Sequence, residues 1–541
     1  MAEVTGSRLV AMALKNEGVE ALFFLMGGPI SPLVGEAEQL GVKTYYVRHE
    51  QAAAMAAHSY ARLTGKTGVC ATTAGPGTMN ALTGVANAQA DACPLVCLGG
   101  SSAMNQAVTG AFQEMDQTPV FKPVTKLALK VDLTDRIPEY LSVGFRHAQD
   151  GCKGAVYLDL PGDVLNRKVE EGNVLWPERY RTQSRPMGDP AQVRQAVDLL
   201  AKARKPLIVT GSGILWSEAW EELRQLVEAT GIPFYTTPQG RGVIPEDHRL
   251  FFGGARSMAF RDADTVLAIG LRANSMVFSF RPPRFSAEAK FIEVNIDGTE
   301  LGHNRPVDVG IVGDARMVLR QLIEDAKGRI NGRQESAWVK QLRAQDAGYA
   351  ERTEAQINSD QVPIHPARLC KEVRDAMDRD AVLIDDAHEL MGFSRHIIPT
   401  FAPRHRVNAG PHGVMGVGVP FALGAAVARP DKQVILLSGD GAFGWNGMNM
   451  DAAVRHKLPV KVVIGNNAGF TARRTYGSVG RELGWLRYDK MMEAIGCHGE
   501  WVERPEDIKP ALQRAFAADG PAVVNVRTDP EAQAVSRVGF M

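Results

Sequence analysis

Short apolar runs recur along the chain, and each reaches a glycine, aspartate or asparagine before a longer helical pattern begins. The runs cover 22–28, 68–75, 94–100, 154–162, 206–213, 265–272, 291–297, 381–387, 434–441 and 460–467. They do not alternate strictly between apolar and polar residues, which is typical of strands buried on both faces. Because helical segments separate them, the pattern predicts βα units of parallel sheets, with ligands bound beyond the carboxyl ends of the strands.

Two stretches interrupt this pattern and are predicted to be linkers. Residues 164–190 are rich in proline and charge, and residues 326–362 are polar and partly helical. They divide the 541 residues into three α/β domains, at about 1–165, 190–325 and 363–541. Three hydrophobic cores suit a chain of this length. The first and third domains share a similar βα rhythm.

The charge balance and the cysteines narrow the classes of partner. Lys plus Arg and Asp plus Glu both number 61, so the formal net charge is zero. Without a cationic excess, we expect no nucleic-acid partner and no anionic membrane partner. Six scattered cysteines are typical of reduced, buried thiols rather than of a zinc site. A local basic pocket for one phosphorylated ligand is still compatible with this balance.

The sequence shows no targeting or membrane segment of the usual kind. Four charged residues precede the first apolar run, whereas a signal peptide has an uninterrupted apolar core. The longest uncharged stretch, 409–428, is rich in glycine and contains Pro411 and Pro420, so it would form a poor membrane helix. We therefore expect a soluble, cytoplasmic protein that acts on a small molecule.

The strongest local signal is a pair of polar strand ends. One buried strand ends in Gly-Asp-Gly at 439–441, and the next ends in Asn-Asn at 466–467. This spacing accommodates one crossover helix and a parallel strand, which places Asp440 beside Asn467. Their oxygens suit Mg²⁺, while the glycines and the start of a helix predicted over 445–457 suit a diphosphate. The alternative is that Asp440 caps a helix and the asparagines form a turn.

The same motif is the fingerprint of thiamine diphosphate-dependent enzymes, and the chain resembles their acetolactate synthase-like family over essentially its whole length. The matching stretches follow the family order and cover 48–69, 72–95, 110–117, 237–248, 253–272, 291–302 and 403–428. The resemblance implies an enzyme that uses thiamine diphosphate and Mg²⁺. It also implies at least a homodimer, or a dimer of dimers, because members of the family build their active sites between subunits.

The resemblance assigns roles to individual residues. Asp440 and Asn467 fall at the metal-ligand positions, with the backbone carbonyl of Gly469 as the third protein ligand. Glu50 matches the glutamate that hydrogen-bonds N1′ of the aminopyrimidine and favours the tautomer that takes the proton from thiazolium C2. Met415 matches the apolar residue that holds the cofactor bent. Outside this context, Glu50 would be a surface charge and Met415 part of a core.

The resemblance implies further cofactor contacts in the first and third domains. Gly413 is expected to offer a carbonyl to the 4′-amine, and Pro76 and Asn80 are expected to line the pyrimidine. The predicted diphosphate cradle consists of Gly439, Gly441, Ala442 and Phe443.

Several stretches bear on the substrate. Residues 98–117, 237–257 and 401–410 resemble the family members that use CoA thioesters, as do the closing residues 536–541. The basic residues at 404–406 could meet phosphates or be a solvated loop. In the middle domain, Gly-Ser-Gly at 211–213 could mark a site for ADP or FAD, although such a short motif is a weak signal.

Several residues bear differently on the choice between a CoA thioester and a keto acid as the substrate. Where the CoA lyases follow the double asparagine with Ile-Tyr, this chain has Phe470 and Thr471, which favours a keto acid substrate. Gln113 falls where the family shapes the acyl pocket and suits either class. His412 is unexpected at its position, and it is either an active-site acid or base or a structural residue.

The leading hypothesis is a Mg²⁺–thiamine diphosphate lyase or carboligase of the 2-hydroxyacyl-CoA lyase and oxalyl-CoA decarboxylase branch. It would cleave a 2-hydroxyacyl-CoA to an aldehyde and formyl-CoA, run the reverse condensation, or act on oxalyl-CoA. The alternative is an acetolactate synthase or a 2-keto acid decarboxylase, suggested by Gln113 and by the missing tyrosine. A non-catalytic paralogue is a third hypothesis, which the presence of Glu50, Asp440 and Asn467 disfavours.

Overall fold

The computed structural model describes residues 3–330, 332–472 and 479–534, and it contains three parallel β-sheets, each in its own domain. Every apolar run identified in the sequence overlaps a strand. The predicted α/β fold of three domains, each with a mainly parallel sheet flanked by helices, is therefore confirmed.

The first domain is built around a six-stranded parallel sheet. The strands of this domain are β1 (Glu3–Thr5), β2 (Ala21–Phe24), β3 (Lys43–Tyr46), β4 (Gly68–Thr72), β5 (Leu95–Ser101), β6 (Leu127–Lys130), β7 (Ala155–Pro161) and β8 (Lys168–Glu170), of which β2 to β7 form the sheet. Its helices are α1 (Gly6–Asn16), α2 (Ser31–Gln39), α3 (Glu50–Thr64), α4 (Pro76–Ala90), α5 (Thr118–Phe121), α6 (Ile137–Gln149) and α7 (Gly162–Asn166). The sheet has the order β3-β2-β4-β5-β7-β6, and β1 pairs antiparallel with β8.

The second domain holds a five-stranded parallel sheet. Its strands are β9 (Pro206–Thr210), β10 (Phe234–Thr236), β11 (Thr265–Ile269), β12 (Lys290–Asn295) and β13 (Val309–Val312). Its helices are α8 (Pro190–Lys202), α9 (Gly213–Trp216), α10 (Trp220–Thr230), α11 (Arg256–Asp262), α12 (Ala315–Ala326) and α13 (Ala337–Ile357). The strand order is β10-β9-β11-β12-β13.

The third domain repeats the sheet of the first. Its strands are β14 (Val382–Asp386), β15 (Arg406–Asn408), β16 (Val434–Gly439), β17 (Lys461–Asn466), β18 (His498–Val502) and β19 (Ala522–Arg527). Its helices are α14 (Pro366–Ala376), α15 (Glu389–Ile397), α16 (Gly418–Ala428), α17 (Asp440–Asn446), α18 (Met450–Arg455), α19 (Tyr488–Glu493) and α20 (Pro505–Ala517). The order β15-β14-β16-β17-β19-β18 matches that of the first domain strand for strand, in agreement with the shared rhythm in the sequence.

Helices α3 and α16 follow the second strand of these two matching sheets, and they pack against each other. Both helices are rich in alanine, and a Cβ on Gly424 would lie only 2.1 Å from the carbonyl oxygen of Ala56. The Ser59 hydroxyl donates a hydrogen bond to the carbonyl of Phe421 (2.8 Å). Small side chains therefore let the two backbones approach closely, and one continuous hydrophobic core spans the first and third domains.

The predicted linkers carry more structure than the sequence indicated. Strand β8 lies inside 164–190, and Arg181 in the same stretch pairs with Glu17 at the end of α1 (2.8 Å). In 326–362, α13 forms a 21-residue helix. Its first turns bury an apolar face against the core of the second domain, formed by Trp338, Val339 and Leu342. No described helix has the length and apolar character of a membrane span.

Candidate active site

A cavity of about 290 Å³ lies where the carboxyl ends of β14, β16 and β17 meet. These three strands are neighbours in the third sheet, so the residues that follow them share one edge. Most of the wall comes from the third domain, and Met276 of the second domain closes one side. This is the edge at which open parallel sheets bind ligands.

Asp440 and Asn467 lie on the same wall of this cavity. They follow neighbouring parallel strands, with Gly439 in register with Gly465. The backbone N–H of Gly469 donates to Oδ2 of Asp440 (2.9 Å), and Nδ2 of Asn467 donates to the carbonyl of Thr471 (3.1 Å). Because Asn467 makes this hydrogen bond through its side-chain nitrogen, its amide oxygen is available to a cation.

The helix predicted over 445–457 begins earlier than the sequence pattern indicated. Helix α17 starts at Asp440 itself, its N-cap is Gly439, and a 3₁₀ turn at 447–449 separates it from α18. Asp440 is therefore the first helical residue and not a cap, so the capping alternative is wrong. The pattern failed because the glycines around Asp440 are normally taken as loop residues.

Burial controls the charge of Asp440. The side chain is almost fully buried, and this burial raises the pKa of Asp440 to about 7, although backbone N–H groups of Gly441 and Gly469 oppose the rise. A cation at the carboxylate would favour its ionised form. The described residues contain no cluster of three His, Cys, Asp or Glu side chains, so a metal here would need amide and carbonyl oxygens in addition to Asp440.

The residues of the predicted diphosphate cradle divide into two groups. Gly439, Gly441 and Ala442 line the cavity. A Cβ on Gly441 would lie 2.5 Å from the ring of Phe470, so only glycine fits between the strand end and this ring. Phe443 is not among the lining residues, because the turn of α17 directs its ring into the core against Tyr488 (5.1 Å between centroids), so a part in the cradle through its backbone stays a prediction.

Met415 and Gly413 also line the cavity. They lie on the loop between β15 and α16, after a 3₁₀ turn at 410–412, and Gly413 adopts a φ of +65°, which favours glycine. His412 is exposed in the chain and is not part of the cavity wall. Within one chain, therefore, Met415 and Gly413 line the cavity and His412 does not.

Glu50 belongs to a separate cluster in the first domain. It is the first residue of α3 and is buried, and Nδ2 of Asn80 donates to its Oε2 (3.0 Å). Pro76 starts α4 one turn before Asn80, and a Cβ on Gly77 would lie 3.1 Å from Oε1 of Glu50. The structure thus excludes the surface-charge interpretation of Glu50.

Gln113 lies beside this cluster, close to Gly75 at the start of α4, and has a positive φ of 59°. The sequence analysis missed its neighbour Gln117, which is fully buried. Its Oε1 accepts the N–H of Gly75 (2.6 Å), and its Nε2 donates to Asp159 (2.8 Å). No local pattern distinguishes the two glutamines, because burial of Gln117 depends on β7.

The two clusters do not meet within one chain. None of the four predicted first-domain residues is among the described residues that line the cavity; they are Glu50, Pro76, Asn80 and Gln113. One chain therefore carries the cluster around the buried carboxyl of Glu50 in its first domain and a separate polar cavity in its third.

The sequence as a whole matches proteins with the same arrangement of domains. It matches the thiamine pyrophosphate enzyme N-terminal TPP binding domain over residues 4–120, the central domain over 193–322 and the C-terminal TPP binding domain over 389–526. It is 35% identical to the 2-hydroxyacyl-CoA lyase of Arabidopsis thaliana, over 98% of this chain and 97% of that protein.

The chain belongs to the thiamine pyrophosphate enzyme family. It is also 34% identical to the acetolactate synthase large subunit IlvG of Mycobacterium tuberculosis, over 97% of this chain and 95% of that protein. With the oxalyl-CoA decarboxylase of Escherichia coli it shares 31% identity, again over 97% of this chain and 95% of the relative. These findings confirm the resemblance inferred from the sequence, and the protein is a thiamine diphosphate-dependent enzyme.

The third-domain cavity fits the needs of this cofactor. A carboxylate, an amide oxygen and nearby backbone carbonyls are the donors that Mg²⁺ prefers when it also holds a diphosphate. Glycines at 439 and 441 let the backbone come close, and Met415 supplies an apolar wall. The residues present therefore suit a magnesium-bound diphosphate.

Two arginines without ion-pair partners among the described residues lie beside the cavity. Arg395 lines it, and its Nε is buried without a hydrogen-bond partner. Arg256 donates to the carbonyl of Met276 (3.4 Å) and packs on Phe260. Burial lowers the pKa of each guanidinium to about 10. Neither cation forms an ion pair among the described residues, although Asp385 lies close enough to Arg395 to oppose the fall of its pKa, and the two together favour an anionic ligand at this side of the cavity.

The basic residues at 404–406 are not a solvated loop. Arg404 is buried, donates to the carbonyl of Leu215 (2.8 Å) and lies over Trp216. Arg406 lies on β15 and forms a buried ion pair with Asp385 (2.7 Å). Both arginines are buried, so the solvated-loop alternative is wrong for them. Neither lines the cavity, although Nη1 of Arg404 has no hydrogen-bond partner, so phosphate binding by these residues stays a prediction.

A second cavity, of about 740 Å³, lies at the carboxyl ends of β9, β11 and β12 and opens toward the first domain. Ser212 and Gly213 of the Gly-Ser-Gly motif line it, and a Cβ on Gly213 would lie 2.6 Å from Gly270. Three cationic side chains share its wall, from Lys153, Arg185 and Arg272. The closing residues 536–541, which resemble the CoA-using members, lie outside the described residues.

Proposed function

We propose that this enzyme makes or breaks the C–C bond next to an acyl-CoA carbonyl. It would cleave a 2-hydroxyacyl-CoA to an aldehyde and formyl-CoA, catalyse the reverse condensation, or decarboxylate oxalyl-CoA. The observation that carries the proposal is the cavity in which Asp440, Asn467 and Met415 converge next to the unpaired Arg395. The lyase and decarboxylase relatives, which match nearly the whole chain, support the reaction class.

In this proposal the third domain holds the charged half of the cofactor. Asp440, the amide oxygen of Asn467 and the carbonyl of Gly469 would hold Mg²⁺, and the backbone of 439–442 would approach the diphosphate. Met415 would support the cofactor in its bent form, and Gly413 would accept a hydrogen bond from its 4′-amine. When bound, thiamine diphosphate supplies a nucleophilic thiazolium carbon and then accepts the electron pair left by C–C cleavage.

The first domain would supply the proton-transfer group. Glu50 would hydrogen-bond N1′ of the pyrimidine, with Pro76 and Asn80 along the ring. Its burial and the hydrogen bond from Asn80 fix the carboxyl in one orientation, which such a role requires. Gln113 would shape the acyl pocket, and His412 would act as an acid or base from the rim of the site.

The two clusters would complete one site only in a homodimer, or in a dimer of dimers. In a single chain, apolar side chains next to both clusters face solvent. Trp445 and Met448, beside the cavity, are 59% and 52% exposed, while Val108 and Phe112, near Gln113, are 98% and 88% exposed. Patches of this kind mark protein interfaces. A partner subunit that covers them would also bring Glu50 to the cavity.

The anionic substrate would meet Arg395. The Nε of Arg395 is buried without a hydrogen-bond partner, which is costly, and a phosphate or carboxylate would supply an anionic acceptor. Coenzyme A carries phosphates, which fits the position of Arg395 and Arg256 between the second and third domains. The acyl group would lie nearer Met415 and Phe470, on the apolar part of the wall.

A second candidate is an acetolactate synthase or 2-keto acid decarboxylase. Thr471 stands where the CoA lyases have tyrosine, and its hydroxyl is engaged by Arg481. The match to an acetolactate synthase at 34% identity supports the same alternative.

The cavity of the second domain would hold a nucleotide, ADP or FAD. Its position at the strand ends and the cationic side chains of Lys153 and Arg272 support this assignment, whereas Arg185 already pairs with Asp314 on the same wall (3.2 Å). Heat denaturation of the purified protein, followed by absorbance and mass spectrometry of the released material, distinguishes FAD, ADP and an empty cavity.

The central experiment compares substrates on one preparation. Purified protein with thiamine diphosphate and Mg²⁺ should form glycolyl-CoA from formaldehyde and formyl-CoA, detected by mass spectrometry. A matched variant, Arg395→Met, should raise KM for the CoA substrate by about tenfold or more because it removes a charge-assisted contact. Acetolactate or CO₂ released from pyruvate, with no CoA product, would instead establish the second candidate.

A further inference from the structure

Met415 is followed by a turn at 416–418, and a buried carboxylate accepts a backbone hydrogen bond from this turn. Asp386 ends β14, and its Oδ2 accepts the backbone N–H of Gly418 (2.7 Å). The backbone N–H of Gly416 also interacts with this carboxyl and lowers its pKa. Asp386 is only 5% exposed, so both interactions are shielded from water.

The opposite side of the turn is fixed by α17. Nδ2 of Asn446 donates to the carbonyl of Gly416 (2.8 Å). Gly416 has a φ of +82°, and a Cβ there would lie 2.7 Å from Cβ of Trp445. A Cβ on Gly418 would lie 2.9 Å from Cβ of Asp386. The turn is therefore clamped between the end of β14 and α17, with no free space on either side.

A carboxylate in this place needs a reason, because burial of a charged group is costly unless it is hydrogen-bonded. An apolar residue would fill the same volume but leave the N–H groups of Gly416 and Gly418 without partners. The acceptor is thus matched to a turn that regular secondary structure cannot satisfy. The residue immediately before that turn is Met415, on the cavity wall.

We propose that Asp386 is a positioning residue, which holds the turn at 416–418 and through it sets the place of Met415 beneath the cofactor. The inference rests on the proposed function, since it takes Met415 as the support of the bent cofactor. It extends that function to a residue outside the recognised motifs. Asp386 also lines the cavity, but in this account it acts on the reaction through the loop and not as an acid or base.

The first test needs no cofactor. Hydrogen–deuterium exchange of the apo protein, followed by mass spectrometry, reports the protection of backbone amides in a peptide covering 410–420. Asp386→Asn should increase exchange in this peptide by about tenfold or more, because one acceptor oxygen is lost from two buried N–H groups. Asp386→Ser, which keeps a smaller acceptor, replaces this variant if the asparagine variant does not fold.

The second test measures the cofactor in place. Exchange of the C2 proton of bound thiamine diphosphate for deuterium, followed by NMR after acid quench, should slow by about 10- to 100-fold in Asp386→Asn, as expected for a misplaced reactive group. The dissociation constant of thiamine diphosphate with Mg²⁺ should change less than threefold, about the size of ordinary context effects. The double variant Asp386→Asn/Met415→Ala should exchange no more slowly than Met415→Ala alone.

Asp264→Asn is the matched control. Asp264 also accepts two backbone N–H groups, from Arg204 (2.8 Å) and Lys205 (3.0 Å), but it lies in the second domain. It should affect neither the 410–420 peptide nor the C2 exchange. The proposal for Asp386 would be overturned if the wild-type protein exchanges the C2 proton and Asp386→Asn exchanges it at the same rate. Additive effects in the double variant would overturn it as well. A wild-type protein without C2 exchange would refute the proposed function itself.

Discussion

The first and third domains share one strand order, but they place different groups at corresponding strand ends. After the second strand of each sheet, the first domain starts α3 with Glu50, whereas the third domain forms the loop that carries Met415. After the third strand, the first domain starts α4 with Pro76, whereas the third starts α17 with Asp440. At this edge the third domain forms a cavity of about 290 Å³.

This difference shows that the sheet fixes where chemistry can occur and the connecting loops decide which chemistry occurs. The first domain offers a buried carboxyl with an amide partner but adds no described residue to the cavity wall. The third offers oxygen donors, an apolar wall and a buried cation. The two sets complement each other, which is the physical basis for proposing that a partner subunit joins them.

The largest expected effect comes from removing the proton-transfer group of the first domain. Glu50→Gln keeps the shape and the hydrogen-bonding capacity toward Asn80 but removes the charge, so turnover should fall about 10³-fold. Thiamine diphosphate binding, measured by tryptophan fluorescence, should change little. Glu38→Gln, an exposed residue of the same domain, is the control and should leave both unchanged. An unaltered rate in Glu50→Gln would remove this residue from the mechanism.

The corresponding change in the third domain should act on the metal. Asp440→Asn removes the only carboxylate proposed to hold Mg²⁺, and the Mg²⁺ concentration for half-maximal activity should rise about 100-fold. Asp431→Asn, an exposed aspartate before β16, serves as the control. The two domains would then differ as proposed, with turnover lost in one and metal affinity lost in the other. Equal effects on both quantities in both variants would contradict the division of roles.

A third change tests the contact between the matching helices. Gly424→Ala places a methyl group against the backbone of Ala56, so the free energy of unfolding should fall by about 1–3 kcal/mol. Gly35→Ala in α2, where nothing lies within 4 Å of the new Cβ, should instead stabilise by about 0.5–1 kcal/mol. Thermal unfolding of the two variants provides the measurement, and equal melting temperatures would show that α3 and α16 are not closely packed.

The smallest effect concerns the carboxyl that the third domain has at the end of its first strand and the first domain lacks. Burial raises the pKa of Asp386 to about 7, from an ordinary value of 3.8. The folded state therefore holds this proton more tightly than the unfolded state, and the resulting stability is present below pH 3.8 and lost as the pH rises toward 7.

Asp386→Asn cannot titrate, so the free energy of unfolding of the wild-type apo protein should fall relative to the variant between about pH 4 and pH 7. The expected size is on the order of 1–2 kcal/mol, after relaxation around the buried group. Urea unfolding across this range checks the result. A constant difference between the two proteins would show that Asp386 is already ionised at acid pH.

The strands that carry the site were predictable from the sequence, because buried parallel strands are continuous apolar runs. Edge strands such as β3 and β15 were missed because they are short and contain polar residues, and β19 was missed although its apolar run has the same pattern. The start of α17 was wrong because propensity places glycines outside helices, whereas the neighbouring strands impose the helix here.

Side-chain roles that depend on distant elements were beyond the sequence. Arg406 looked like a loop cation, and only the pairing of β15 with β14 brings it to Asp385. Phe443 lies inside the motif, yet the turn of α17 directs it into the core. Asp386 and Arg395 carry no motif. Asp386 is distinguished by its burial and Arg395 by its place on the cavity wall.

The most direct test mixes Glu50→Gln with Asp440→Asn at a Mg²⁺ concentration that saturates the wild-type protein but leaves Asp440→Asn nearly inactive. In Glu50→Gln the third-domain cavity is intact, and in Asp440→Asn the first-domain cluster is intact. If each site combines the first-domain cluster of one subunit with the third-domain cavity of the other, each mixed dimer contains one wild-type site out of two. Random assembly makes about half of the dimers mixed, so the mixture should recover about a quarter of wild-type activity. Mixed dimers seen by native mass spectrometry without any recovered activity would contradict a site shared between subunits.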